Sequence, residues 1–106
     1  MKQIKFRAWN KEIKCWEYFR LDEIAILGTS YNKYENWCEF TGLKDKNGKE
    51  IFEGDILSKN NINSEVIFLE TDAQFWLKEE DRALAEIDIR FDEVIGNKFE
   101  NPELLK

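Results

Sequence analysis

The sequence predicts a mainly β domain: a strongly bent antiparallel sheet, partly closed into a small barrel, with one or two short helices. Three observations carry this. About seven short β-prone runs follow one another within 106 residues. Single glycines and an Asn-Gly pair separate them, which is the punctuation of tight turns. Where the runs are cleanest, apolar residues recur at every second position, the period of a half-buried strand. A chain of this length holds one modest core, so one domain over residues 1–106 is expected.

Taken in order, residues 3–9 alternate, with Ile4, Phe6 and Ala8 on one face and Lys5, Arg7 and Trp9 on the other. Asn10-Lys11-Glu12 reads as a turn and residues 13–19 as the returning strand, giving an N-terminal hairpin rich in Trp and Tyr. Residues 21–27 fit a short helix or a buried strand equally, ended by Gly28. Residues 37–41 read as a strand that Gly42 breaks, and Asn47-Gly48 signals a turn between β-prone flanks. Residues 50–57 give two short apolar pieces hinged at Gly54, the kind of sharp bend a small barrel needs. A polar loop over residues 60–64 precedes a hairpin formed by residues 65–70 and 73–77 across Thr71-Asp72. Residues 79–85 have the composition of a short exposed helix with acids in its first turn. Ile87, Ile89 and Phe91 alternate with Asp88 and Arg90, residues 94–99 read as the last strand, and Asn101-Pro102 caps a final helical turn.

The inventory excludes more than it assigns. There is no histidine, which removes the commonest general base near neutral pH, the usual zinc ligand and every Ser-His-Asp or Cys-His arrangement. Cys15 and Cys38 form no Cys-x-x-Cys motif and lie in apolar stretches, so they read as small buried hydrophobes rather than a redox or zinc pair. The longest stretch without a charge, residues 24–32, is nine residues long, far short of a bilayer's hydrocarbon thickness of about 30 Å. The first residues alternate charged with apolar, unlike a signal peptide. A cytosolic, non-enzymatic protein without a cofactor or membrane contact is therefore expected.

Four groups of residues are candidates for function. Asp45-Lys46-Asn47-Gly48 has oxygens at calcium-loop spacing, but the loop's required Gly falls on Glu50 and its bidentate Glu on Ile56, so a hairpin turn is the better reading. Glu50, Glu53 and Asp55 are close enough in sequence for acid–base or magnesium chemistry, with solvent-facing acids around a turn as the plainer account. Lys5, Arg7, Trp9, Lys14 and Trp16 interleave cations with aromatics on one hairpin face, as single-stranded nucleic-acid binders do; the same rings serve equally as a cover for the core or a partner face. Glu79, Glu80, Asp81, Asp92 and Glu93 offer an acidic face for a basic partner.

Charge is divided along the chain. Residues 1–49 hold ten Lys and Arg against seven Asp and Glu, whereas residues 50–106 hold six against fifteen. The two halves either neutralise each other on folding or make a bipolar surface that favours self-association. With 14% aromatic residues, some of Trp9, Trp16, Trp37 and Trp76 are expected at an interface, which favours a homo-oligomer.

Three blocks together resemble a known family. They are Ile4-Lys5-Phe6-Arg7-Ala8-Trp9-Asn10-Lys11, the segment Phe40-Thr41-Gly42-Leu43-Lys44-Asp45-Lys46-Asn47-Gly48-Lys49-Glu50-Ile51-Phe52-Glu53-Gly54-Asp55-Ile56-Leu57, and Glu93-Val94-Ile95-Gly96-Asn97-Lys98-Phe99-Glu100-Asn101-Pro102-Glu103-Leu104-Leu105. In this order, and at this overall length, they resemble the YopX family of small proteins encoded by phages and prophages, chiefly of Gram-positive bacteria. The resemblance implies a β-rich fold with short helical pieces and residence in the bacterial host cytoplasm. It implies no reaction, cofactor or catalytic residue. The reading it leaves is an accessory protein that binds a host or phage protein, with single-stranded nucleic-acid binding as the alternative.

Overall fold

The computed structural model describes residues 4–79 and 84–105. Two antiparallel sheets account for most of them. The first has strand order β2-β1-β3-β4 and the second β8-β7-β6-β5-β9. The strands are β1 (Lys5–Asn10), β2 (Cys15–Arg20), β3 (Tyr34–Lys44), β4 (Glu50–Phe52), β5 (Asp55–Lys59), β6 (Ile62–Leu69), β7 (Gln74–Lys78), β8 (Leu84–Ala85) and β9 (Glu93–Asn97). The mainly β expectation is met, but neither sheet closes, so the expected barrel does not form. β4 pairs only with β3, while both edges of β5 are taken by β6 and β9. At Gly54 the chain therefore leaves one sheet and enters the other.

Local chemistry explains most of the turns. Asn10 Oδ1 accepts the N–H groups of Glu12 and Ile13 at 2.9 and 3.3 Å, and Lys14 takes a left-handed φ of 57°, which closes the β1–β2 hairpin. Residues 21–27, which fitted two readings, begin as a short helix α1 (Leu21–Ala25). Its start is set by Glu23, which accepts the Arg20 N–H at 2.7 Å. A 3-10 segment, Gly28–Lys33, leads into β3. Gly42, at φ 89°, bends β3 rather than ending it, and the register with β4 shifts there. The expected loop over residues 60–64 is shorter: Asn60 and Asn61 both adopt positive φ, the conformation of a two-residue hairpin turn, so Lys59 pairs directly with Ile62.

Two readings near the C-terminus are corrected. Of the expected helix over residues 79–85, residues 80–83 lie outside the described residues, and Leu84 and Ala85 form β8 against Lys78 and Leu77. The alternation at Ile87, Ile89 and Phe91 makes no strand, because Asp88 and Asp92 close a turn on each other. Asp88 N–H donates to Asp92 Oδ2 at 2.7 Å, and Asp92 N–H donates to the Asp88 carbonyl at 2.8 Å. The ends match the reading better: residues 65–77 form the β6–β7 hairpin, and Pro102–Leu105 form a short 3-10 turn.

Three apolar clusters fill the interior, and the first of them spans both sheets. Ile51, Leu57, Val66 and Leu77 form the main core with Phe75, Ala85, Ile87 and Val94 packed against it. Ala8, Phe19 and Tyr34 lie with Ile24, Leu27 and Trp37. Cys38, Phe40 and Phe52 form the third, with Trp16 against it. Cys38 is buried as expected, whereas Cys15 is exposed.

Asp45 ties the sheets together at the Asn47-Gly48 turn. Its Oδ1 accepts the N–H groups of Asn47 and Lys49, and its Oδ2 accepts that of Val94 in β9, all at 2.9 Å. Burial pushes the pKa of this carboxyl up, but the backbone donors outweigh burial and hold it below the usual range. A depressed folded value contributes stability that is present above the unfolded pKa and lost as pH falls through the folded one. Asp45→Ala is therefore expected to destabilise the protein by about 1–3 kcal/mol near neutral pH, with a smaller loss below pH of about 3. Urea titrations at the two pH values check this; an equal loss at both would exclude a role for the ionised carboxylate.

Candidate functional site

The three family-like blocks meet around Arg7. This side chain leaves the middle of β1 and ends inside the protein at 5% exposure. Its Nη2 donates to Asp55 Oδ1 at 2.5 Å, and Asp55, at the start of β5, is 1% exposed. Asp55 Oδ2 accepts the Phe52 N–H at 2.8 Å. The guanidinium carbon lies 4.7 Å from the Trp16 ring centroid and 5.0 Å from that of Phe52, so two aromatic rings accompany it. Trp16 in turn donates its indole N–H to Glu100 at 2.8 Å and packs on Phe99 at 5.9 Å. Burial pushes the Asp55 carboxyl up, against the pull of Arg7 and of the Phe52 N–H.

The basic and aromatic residues expected on one hairpin face are thus partly drawn inward. Trp9 pairs with Trp16 across the hairpin at 5.3 Å, edge to face. Lys5 shares that face and donates to Glu50 at 2.5 Å. Arg7 is inside and Trp16 covers it, so of the three expected cations Lys14, in the exposed turn, is the one without an ion pair among the described residues. Sequence alternation placed these residues on a common side, but nothing local showed that Glu50, Asp55 and Glu100 from the other half would meet them.

The carboxylate set Glu50, Glu53 and Asp55 does not converge. Glu50 serves Lys5, Asp55 serves Arg7, and among the described residues no cluster of acids, Cys or His has the arrangement of a metal site. Burial raises the Cys38 thiol above its ordinary value, with Arg7 opposing, which disfavours the thiolate a nucleophile would need. The expected acidic face is also dispersed. Asp92 is 2% exposed and belongs to the turn described above, and Glu93 is engaged by Lys46 at 3.8 Å and by Asn47 at 3.2 Å. Glu79 is half-buried, while Glu80 and Asp81 lie outside the described residues. Sequence reasoning missed Glu70, Asp72, Glu86 and Glu103, which are exposed and have no ion pair among the described residues.

Comparison with known proteins gives three results. The crystal structure of protein EF1440 from Enterococcus faecalis is similar over 100% of both chains, with a TM-score of 0.65 and 26% sequence identity. No curated protein matches the sequence. The family model described as "YopX protein" matches residues 22–106. The β1–β2 hairpin precedes that segment, yet its Arg7 neutralises Asp55 within it, so the hairpin is integral to the fold the match describes. With most of its length matched, and with the blocks of its sequence joined around one buried ion pair, the chain belongs to the YopX family.

Proposed function

We propose that this is a non-enzymatic phage or prophage accessory protein that acts in the bacterial host cytoplasm by binding a host or phage protein with a basic surface, and that it self-associates. One observation carries the reading. Across the second sheet and its loops the described cations are largely spent within the chain: Lys59 and Arg90 on Asp88, and Lys98 on Glu65. Glu70, Asp72, Glu86 and Glu103 remain exposed without such partners, and among the described residues from 53 onward only Lys78 is a cation without an ion pair. The surface on that side is therefore acidic, which attracts basic partners and repels nucleic acid. No helix among the described residues is long and apolar enough to cross a membrane.

Single-stranded nucleic-acid binding by Lys5, Arg7, Trp9, Lys14 and Trp16 is the weaker reading, since a phosphate backbone needs accessible cations and the Arg7 guanidinium is enclosed. The test combines two measurements. Affinity capture from infected cells is expected to recover a basic protein, lost at high salt and lost on joint Glu70→Lys and Asp72→Lys substitution. Labelled single-stranded DNA and RNA are expected not to bind. Salt-sensitive nucleic-acid binding that weakens in Trp9→Ala would reverse the order of the two readings.

A further inference from the structure

We infer that the open cleft between β3 and β7 is the binding site for an arginine side chain of the basic partner, which rests on the proposed function and names its site. β8 pairs with β7 at Leu77 and Lys78 alone. Were that ladder to continue, Glu86 would stand opposite Trp76 and Ile87 opposite Phe75. Instead Asp88 and Asp92 draw the chain into their turn, while on the facing sheet Gly42 bends β3 at φ 89°. A cleft of about 400 Å³ is left between these segments, lined by Leu43 of β3, by Gln74, Phe75 and Trp76 of β7, and by Glu86 and Ile87 beyond β8. That volume takes a small ligand or one long side chain.

The lining selects a long cation. Phe75 and Ile87 pack against the main core, so the inner side of the cleft is apolar. Gln74 and Glu86 are exposed, and Glu86 has no ion pair among the described residues. Asp72, exposed and equally without an ion pair, immediately precedes Ala73, which lines the same cleft. An apolar inner side with an acidic rim matches a side chain that has an apolar stem and a cationic head, lying along the cleft. Arginine meets it better than lysine, because a planar guanidinium donates to a carboxylate through two N–H groups and keeps others for an amide oxygen such as that of Gln74. The molecule's other cleft, of about 500 Å³, is lined by Lys11, Glu12 and Lys33, and neither lysine has an ion pair among the described residues. Its charge favours anions, so the two clefts sort ligands of opposite sign.

The test is an NMR titration of the full chain with N-acetyl-arginine amide and, separately, with N-acetyl-citrulline amide, which keeps the shape and lacks the charge. The arginine probe is expected to shift the Leu43 amide and the Trp76 indole N–H, a buried donor without an acceptor, saturably and with a Kd of about 1–10 mM. Thr29 and Ser30, in the other cleft, are expected not to move, and the citrulline probe is expected to bind at least about tenfold more weakly. Glu86→Gln is expected to weaken arginine binding about tenfold without altering thermal unfolding, whereas Glu103→Gln, an exposed acid outside the cleft, is expected to change nothing. Equal binding of the two probes, or equal losses in the two variants, would overturn the site. Capture of the same basic protein from infected cells by Glu86→Gln and by the parent in equal amount would overturn the cleft and leave the proposed function standing. Saturable arginine binding in the cleft without capture of a basic protein would uphold the cleft and overturn the proposed function.

Discussion

Arg7→Ala is expected to destabilise the protein by about 3–5 kcal/mol, because it strands a carboxylate inside the fold. Asp55 is 1% exposed, and its remaining partner would be the Phe52 N–H. Asp55→Ala is expected to be about as severe, since it leaves a guanidinium enclosed between two rings and the Phe52 N–H unbonded. Arg7→Lys is not conservative here: an ammonium cannot lie flat between Trp16 and Phe52 while donating to Asp55. Arg7→Met combined with Asp55→Asn removes both charges, and the Asn Oδ1 still accepts the Phe52 N–H. The double variant is expected to lie closer to the parent than the sum of its single changes, by about 1–3 kcal/mol. Urea unfolding of the four proteins measures this. A loss below about 1 kcal/mol for Arg7→Ala would show that water reaches the pair and that it behaves as a surface bridge.

The acid Asp92 shows the opposite sign of linkage to Asp45. Burial raises its folded pKa, with the Asp88 N–H opposing. A buried carboxylate of this kind opposes folding near neutral pH, and the opposition fades as pH falls through the raised value. The acid limb of the stability curve is therefore a balance: Asp45 and Glu100, whose pKa is lowered by Asn97 and Trp16, favour higher pH, and Asp92 favours lower.

What the sequence disclosed depended on how local the cause was. The β1–β2 hairpin, the Asn47-Gly48 turn and the hinge at Gly54 follow from neighbouring residues, and all three are where the reading placed them. At Gly54 the need is double, since φ is 87° and a Cβ would sit 3.2 Å from Phe99 Cε2. Asn60-Asn61 closes a tight turn inside the longer loop that composition suggests, because two successive left-handed asparagines are a weaker signal than Asn-Gly. Ile87, Ile89 and Phe91 had a strand's spacing, but Asp88 and Asp92 captured the backbone first. For the candidate site the limit was reach. Arg7 and Asp55 were both singled out, in separate groups, because alternation reports which side chains share a face and not which face a segment 48 residues away will cover. The opposite charges of the two halves were the visible trace of that closure, with Lys5–Glu50 and Arg7–Asp55 as its products.

Phe52→Ala is expected to be the most damaging single core change, at about 3–5 kcal/mol, and it also tests whether the two sheets unfold as one unit. Phe52 is the last residue of β4 before the crossing at Gly54, and its ring touches Phe40 at 5.3 Å, Tyr18 at 5.5 Å and the Arg7 guanidinium at 5.0 Å. Those neighbours come from β1, β2 and β3, whereas Phe52's own N–H is held by Asp55 of the second sheet. A cavity here removes apolar contact and one wall of the guanidinium site together. Phe52→Leu refills part of the volume and is expected to lose about half as much. Because the residue stands between both layers, amide exchange in Phe52→Ala is expected to accelerate by the same factor at Cys38 in the first sheet and Val66 in the second. Acceleration confined to the first sheet would mean that the layers open separately, and that the Arg7–Asp55 pair joins two units rather than closing one.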